Sequence, residues 1–236
     1  CSKKSNTNFS TTKYELDSFK ESIEEVENLD NKIVDDSLRL SLLSKLSLKF
    51  LYADSTVFRY TNYKTIALSD QLGDSKILAN AYWDLAYFYS NYSYLDSAYA
   101  SYYKAHQNFR SIDDDYHSGK MMLNMAISQE KARDYIGSEN SSFNALKFLP
   151  DHKIKDVYAV YNDLAIIYNG LDDFDSAIIY HKKAIDLAKQ VGDQSLILNS
   201  LNNISVVYIE NGFNTKALKY IEEALKTEDI KDNDTR

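Results

Sequence analysis

The chain is poor in cysteine, proline and glycine, and each shortage excludes a class of structure. Only one of its 236 residues is cysteine, at position 1, so no disulfide can form within the chain. One proline and six glycines are few for a protein built of hairpins, and no stretch alternates apolar and polar residues as a half-buried strand would. These absences predict an all-α chain, long enough to bury a sizeable core.

The chain also lacks a concentration of positive charge. Its formal net charge is −8 at pH 7, and lysine and arginine cluster in no segment. A nucleic-acid binder needs a basic surface that displaces counterions from phosphates. No apolar run reaches the roughly 18 residues that would cross a bilayer. The sequence therefore predicts neither nucleic-acid binding by this segment nor a membrane span within it.

Motifs that carry chemistry are missing as well. The four histidines do not pair at metal-ligand spacing, and no second cysteine can assist them. No Gly-rich phosphate loop and no Gly-x-Ser-x-Gly nucleophile elbow occur. The acidic runs 113–115 and 172–173 lie between helical segments, which favours turn and N-cap roles. We therefore expect a non-catalytic protein, not an enzyme, that uses no cofactor and no metal ion.

What the sequence does contain is a repeated two-helix pattern. A large residue, a leucine or isoleucine followed by a small residue, and a tyrosine recur at fixed spacing, and a second motif begins nine residues later. The three clearest copies are Tyr82-x2-Leu85-Ala86-x2-Tyr89 with Ala98, Tyr102 and Ala105; Tyr161-x2-Leu164-Ala165-x2-Tyr168 with Ala177, His181 and Ala184; and Leu201-x2-Ile204-Ser205-x2-Tyr208 with Ala217, Ile221 and Ala224. The first two lie 79 residues apart and the last two 40 apart, which leaves room for one more copy.

This pattern resembles the tetratricopeptide repeat (TPR) over most of the chain. The resemblance implies a right-handed α-α superhelical solenoid of about five TPR-like helix pairs with an N-terminal capping helix, in which neighbouring repeats cover each other's apolar faces. Gly170 and Gly212 are expected to supply left-handed residues in the turns inside their repeats. The predicted organisation is a flexible tether at 1–12, a capping helix at 13–30, a repeat array at 36–228 with repeats at about 36–74, 75–114, 115–151, 152–193 and 194–228, and a polar tail at 229–236.

The resemblance also implies a binding surface. In this family the first helix of each pair lines a concave groove, and the residue before the motif leucine often faces the ligand. In relatives that bind extended peptides, asparagine at this position hydrogen-bonds the peptide backbone, because an amide can both donate and accept. We therefore expect a protein or extended peptide in the groove, with Trp83 as a hot spot. The candidate residues are Asn80, Trp83, Asp84, Tyr87, Lys120, Asn124, Asn162, Asp163, Asn199, Asn202 and Asn203, with their apolar neighbours Leu123, Ile127, Ile166 and Val206.

A plainer interpretation stays open at these positions. Asparagine and aspartate are plentiful in the whole chain, and helix faces turned to water carry them without binding anything. A clamp for a C-terminal carboxylate, which some relatives build from basic residues on successive first helices, is disfavoured. Lys45, Lys49 and Lys120 lie near such positions, but Asp84 stands where the clamp needs asparagine and would repel the ligand's carboxylate.

The two ends of the sequence suggest a location. Cys1 is followed by serine, lysine, asparagine and threonine, which resembles the start of a mature bacterial lipoprotein whose cysteine carries the lipid. The alternative is an arbitrary boundary. At the other end, Leu218, Ile221 and Leu225 have no complete helix after them, so either more chain beyond Arg236 or a partner is expected to cover them.

Together these features resemble the extracytoplasmic repeat region of Bacteroidetes-type lipoproteins and membrane regulators. We therefore expect the sensory or scaffold part of a membrane-associated signalling regulator. It would lie outside the cytoplasm, anchored by a lipid on Cys1 or by chain beyond Arg236, and homodimerisation is left open. The first alternative is a stand-alone envelope lipoprotein adaptor. The second is a cytosolic receptor for peptide pheromones, which would make Cys1 incidental.

Overall fold

The protein is described by a computed structural model that covers the backbone of residues 23–234 and the side chains of residues 23–227. This part of the chain contains eleven α-helices and no β-strand, which confirms the all-α prediction. Cys1, the tether at 1–12 and residues 13–22 of the predicted capping helix lie outside the described residues. The helices are α1 (Ile23–Lys32), α2 (Asp36–Phe50), α3 (Ser55–Leu72), α4 (Ser75–Asn91), α5 (Leu95–Ser111), α6 (Asp115–Lys131), α7 (Tyr135–Phe148), α8 (Ile154–Gly170), α9 (Phe174–Val191), α10 (Gln194–Glu210) and α11 (Asn214–Asp234).

After α1 the helices follow one another as five pairs. Each of the five predicted repeat ranges contains one pair, from α2 and α3 in the first to α10 and most of α11 in the last. The two helices of a pair pack on each other, and the second helix of each pair packs on the first helix of the next. Because each pair is covered mainly by its neighbours, the fold is the one-dimensional stack that the repeat pattern predicts.

Aspartate begins most of these helices. Its side-chain oxygen accepts a hydrogen bond from a backbone N–H of the first turn, which would otherwise have no partner. At the start of α2, for example, the Leu38 N–H donates to the Asp35 carboxylate over 2.8 Å. Seven described helices have such a cap, formed by Asp35, Asp54, Asp74, Asp114, Asp134, Asp173 and Asp193. The acidic runs predicted to cap helices therefore do so through Asp114 and Asp173.

Left-handed backbone conformations mark the turns. Gly212, with φ of +73°, fills the turn inside the last pair as predicted. The prediction for Gly170 is wrong, because α8 continues through this residue and Asp172 takes the left-handed conformation with φ of +59°. The residues with positive φ inside the pairs are Ser93, Arg133, Asp172 and Gly212, and those between pairs are Gly73, Asp113 and Gly192.

The core lies along the axis of the stack, between the helices. The small residues of the pattern are all buried, so the helices approach each other at these points: Ala86, Ala98, Ala126, Ala165, Ala177, Ser205 and Ala217. Leu85, Leu164 and Ile204, the large residues beside them, are buried as well. At the far end, Leu218 and Leu225 of α11 remain 55% and 57% exposed. None of the described helices combines the length and the apolar character that a membrane span requires.

The first helices of the pairs, α2, α4, α6, α8 and α10, form one layer of the stack. Besides packing on second helices, α2 contacts α4 and α6 contacts α8. Side chains connect this layer directly, as where the Tyr116 hydroxyl of α6 donates to the Asp156 carboxylate of α8 over 2.9 Å. The exposed side of this layer, called the first-helix face below, is where the repeat resemblance places a ligand.

Candidate functional site

An apolar row runs along the first-helix face, with one residue from each pair. Its members lie 39 or 40 residues apart and follow the motif leucine, isoleucine or methionine by two positions. Most of them are more than a third exposed: Leu48 by 57%, Tyr87 and Ile166 by 37% and Val206 by 48%. Ile127 is half-buried. The row therefore places an apolar side chain at the same point of each first helix.

A polar row borders the apolar one. It is formed by the residue before the motif leucine, isoleucine or methionine in each first helix: Lys45, Asp84, Asn124, Asp163 and Asn203. The equivalent spacing places these five residues at the same point of each helix, but their surroundings differ.

In the last two pairs, the predicted amides bond to one another. The Asn203 amide N–H donates to the Asn162 side-chain oxygen over 3.0 Å, which joins α10 to α8. Nearby, the Asn169 amide donates to the Glu210 carboxylate over 3.1 Å. Asn199 and Asn202 of α10 are exposed. Each of these bonds between repeats uses one N–H of the donating amide, and the second N–H remains for a ligand.

Trp83 was predicted to be an exposed binding residue, but its ring packs against neighbouring side chains. Its ring is half-buried and lies 6.2 Å from the Phe109 ring and 5.8 Å from the His117 ring, measured between centroids. The Lys120 ammonium lies 5.3 Å from the Trp83 ring centroid, in a cation–π arrangement. Trp83 and Lys120 therefore link α4 to the third pair, and Trp83 contributes to packing as well as to the surface.

Asp163 is buried, with only 6% of its surface exposed. Its carboxylate accepts a hydrogen bond of 2.8 Å from the Ser142 hydroxyl of α7. Burial raises the pKa of Asp163 to about 7, the Ser142 hydrogen bond opposes this rise, and the charge of Glu130 adds to it. The carboxylate is thus turned into the helix interface, and the structure leaves little of it for a ligand.

Asp84 occupies the equivalent position in α4 but is only half-buried. Burial raises its pKa to about 6, and no hydrogen bond opposes this rise. Asn80, Asp84 and Tyr87 lie three or four residues apart along one side of α4, where Tyr87 is exposed and the other two are half-buried. Of the remaining candidates, Asn124 is half-buried, whereas Leu123 is 7% exposed and belongs to the core rather than to the face.

Two residues of the face were missed by the sequence reasoning. Tyr52, which follows α2, is 75% exposed, and its ring lies 5.9 Å from the Tyr87 ring in an edge-to-face arrangement. Leu48 begins the apolar row. The 39-residue spacing from Leu48 to Tyr87 could have identified it, but the sequence left the register of the first repeat uncertain by one residue.

The histidines have structural surroundings. His181 is 1% exposed, its Nδ1 has no hydrogen-bond partner, and burial lowers its pKa to about 4, so it is neutral at pH 7. The His117 ring bonds to the Asp114 carboxylate that caps its own helix. Within residues 23–227, no three histidine, cysteine or carboxylate side chains come close enough together to hold a metal ion.

Comparison with known proteins agrees with this architecture. A family model described as the tetratricopeptide repeat matches residues 156–227. No curated protein sequence matches the chain.

Solved structures match over most of the chain. BtubC from P. vanneervenii superposes with a TM-score of 0.71 at 20% identity, covering 93% of this chain and 91% of that one. The apo form of RapI gives 0.73 at 12% identity, covering 82% and 72%. A signal transduction ATPase with numerous domains and a tetratricopeptide repeat sensor, from Pyrococcus horikoshii, gives 0.72 at 20% identity and covers 86% of this chain and 32% of the larger protein.

Proposed function

We propose that this helical solenoid, in which residues 156–227 match the tetratricopeptide repeat, is a non-catalytic module that binds a protein or an extended peptide on its first-helix face. The observation that carries this proposal is the apolar row, in which Leu48, Tyr87, Ile166 and Val206 are each 37–57% exposed. A row of this kind is costly to leave in water and gains about 25 cal/mol for each Å² that a partner covers.

A simpler interpretation is that the first-helix face contacts only water. This interpretation explains the exposed asparagines but not the apolar row. Asparagines such as Asn199 and Asn202 need no ligand, since water satisfies their side chains. Exposed apolar side chains scattered singly would need no explanation either. Here they recur at the same helix position in successive pairs. This regularity favours a segment that runs along the stack and contacts each repeat in turn.

The proposed setting is a membrane-associated signalling regulator, of which this chain would be the extracytoplasmic sensory or scaffold part. Its support is the similarity to a structure whose tetratricopeptide repeats are described as a sensor. A stand-alone lipoprotein adaptor is the second candidate, favoured if Cys1 is lipidated and the native chain ends near Arg236. A soluble native form with residues before Cys1 would instead favour a cytosolic peptide receptor. The intact mass of the protein from membrane and soluble fractions of its own cells separates the three.

Two isoleucines of the fourth pair provide a matched test of the binding face. Ile166 lies on the first-helix face and is 37% exposed, whereas Ile179 lies on the second helix α9 and is 52% exposed. In a crosslinking and pull-down experiment from native cells, Ile166→Asp is expected to lower partner recovery about tenfold or more, because a charge enters the apolar row. Ile179→Asp should leave recovery unchanged.

Both variants should keep the helical circular dichroism of the parent, since neither side chain is buried. Equal recovery of partners by the parent and Ile166→Asp, or a loss confined to Ile179→Asp, would show that binding uses another surface.

A further inference from the structure

Three carboxyl groups of the first-helix layer are not paired with cations. In the described residues, three carboxyl groups have a raised pKa, Asp84, Glu130 and Asp163, and all three belong to first helices, α4, α6 and α8. None of them takes part in an ion pair. The ion pairs of the described residues use the carboxylates of Asp30, Asp36, Asp114, Asp115, Asp193 and Glu223. Of these three, Asp163 is buried, whereas Asp84 and Glu130 are half-buried carboxyl groups that the described part of the fold leaves without an ion pair.

Among the described residues, Asp84 differs from the other two in having neither a hydrogen-bond donor nor a neighbouring charge that lowers its pKa. Asp163 accepts from the Ser142 hydroxyl, and Glu130 is influenced by the charge of Lys131. No hydrogen bond to the Asp84 carboxylate forms among residues 23–227. It is also only half-buried, so a partner can reach it from the face. A carboxylate that is partly desolvated and lacks a donor binds an incoming cation more strongly than a fully hydrated one does.

Aromatic rings stand beside this carboxylate. Tyr87 lies one turn further along α4, and the Tyr52 ring contacts the Tyr87 ring edge to face. Asp84 and Tyr87 are three residues apart and share one side of α4, so Tyr52 joins the same side through its contact with Tyr87. Both rings are exposed, by 75% for Tyr52 and 37% for Tyr87. The faces of tyrosine rings attract cations, so rings and carboxylate favour the same kind of group.

The lysines of neighbouring first helices do not supply this cation. Lys45 holds the position equivalent to Asp84 in α2 and is exposed, without an ion pair. The ammonium of Lys120 in α6 lies over the rings of Trp83 and Tyr116, at 5.3 Å and 5.7 Å from their centroids. A cation supplied by a partner therefore has no competitor bonded to Asp84 within the described residues.

We propose that the first-helix face takes an apolar peptide segment carrying a lysine or arginine, whose cationic group pairs with Asp84 against the rings of Tyr52 and Tyr87. This inference rests on the proposed function and adds the chemistry of the partner. The apolar row receives the segment's apolar side chains, and Asp84 fixes its register at the second pair. An acidic segment is rejected at the same place, because its carboxylates would meet the unpaired charge of Asp84.

The test uses the full chain and three arrays of immobilised nonapeptides. The flanking positions are drawn from alanine, leucine, valine and tyrosine in every array, and the central residue is lysine, norleucine or glutamate. Norleucine keeps the aliphatic stem of lysine and removes only the charge. The parent is expected to bind the lysine array about tenfold more strongly than the norleucine array, equivalent to about 1.4 kcal/mol, and the glutamate array least.

Asp84→Asn is expected to bring the lysine-to-norleucine ratio close to one while it leaves norleucine binding intact. Asp186→Asn is the matched control, because Asp186 is exposed on the second helix α9 and the substitution removes the same charge. This variant should keep the full preference. This inference is wrong if the parent binds the arrays without any preference for lysine, or if the preference survives in Asp84→Asn. Either result leaves the proposed function standing. Failure of the parent to bind any of the three arrays overturns both.

Discussion

At the scale of single residues, the half-buried carboxyl of Asp84 lowers the stability of the folded protein, and its replacement should therefore raise it. Its pKa is 3.8 in the unfolded chain and about 6 in the folded one, so between these values the folded state binds more protons. Stability therefore falls as pH rises through this window. We expect Asp84→Asn to be more stable than the parent at pH 7.5 by about 1–2 kcal/mol, after allowance for partial solvent screening. Near pH 4 the difference should disappear, as measured by urea unfolding.

The control for this prediction is again Asp186→Asn, which should change stability by less than about 0.5 kcal/mol at either pH. An Asp84→Asn protein less stable than the parent at pH 7.5 would mean that the carboxylate has a stabilising partner. Gain of stability together with loss of lysine recognition would mark Asp84 as a group kept for binding at the expense of the fold.

Sequence reasoning located the polar row but could not assign its partners. Asp84 and Asp163 precede equivalent leucines, so periodicity treats them alike. Their difference lies in another helix. The donor to Asp163 is Ser142, eight residues after the N-cap of α7, whereas the residue eight positions after the N-cap of α3 is Asn62, whose amide donates to Ser47 and to the Ala81 carbonyl instead. Which side chain meets which across a helix interface depends on packing that a repeat pattern does not encode.

At the scale of helices and turns, left-handed positions were only partly predictable. The α-helices follow from apolar spacing, and their starts follow from aspartate caps, both of which are local signals. The turns inside four of the five pairs follow a geometric rule instead: the residue two positions after the first helix takes positive φ, whatever its identity. Ser93, Arg133 and Asp172 therefore carry a conformation that glycine would adopt with less strain.

Arg133 offers a direct test of this strain. It is exposed and has φ of +62°, a conformation that costs an L-residue with a side chain about 1 kcal/mol or more relative to glycine. Glycine also gains entropy in the unfolded chain, which offsets part of the benefit. We expect Arg133→Gly to stabilise the protein by about 0.5 kcal/mol in thermal or urea unfolding.

The neighbouring residue serves as the control. Ala132 has φ of −79°, in the right-handed region, so Ala132→Gly gains nothing in the folded state and should lose about 0.4–1 kcal/mol. If the two adjacent glycine substitutions change stability in opposite directions, the backbone conformation of each residue causes the effect. The same sign for both would show instead that flexibility of the whole turn decides the outcome.

At the scale of the whole molecule, the stack transmits stability only from neighbour to neighbour. The main packing contacts join helices that are adjacent or next but one in sequence, so the two ends of the described chain have separate cores. Leu46, 1% exposed, belongs to the core around the first pair, and Leu201, 0% exposed, to the core around the last two pairs. In such a fold, damage at one end need not unfold the other.

Leu201→Ala and Leu46→Ala form a reciprocal pair for testing this independence. Each removes a fully buried leucine from a first helix and should cost about 2–5 kcal/mol locally. In hydrogen-exchange mass spectrometry, Leu201→Ala is expected to lower amide protection in α10 and α11 while α2 and α3 stay close to the parent, and Leu46→Ala should give the reverse.

A uniform loss of protection in all helices would mean that the described chain unfolds as one cooperative unit. The nearest-neighbour result would imply that a ligand spanning the first-helix face stabilises the solenoid as a whole, because it would connect pairs that the fold leaves energetically separate.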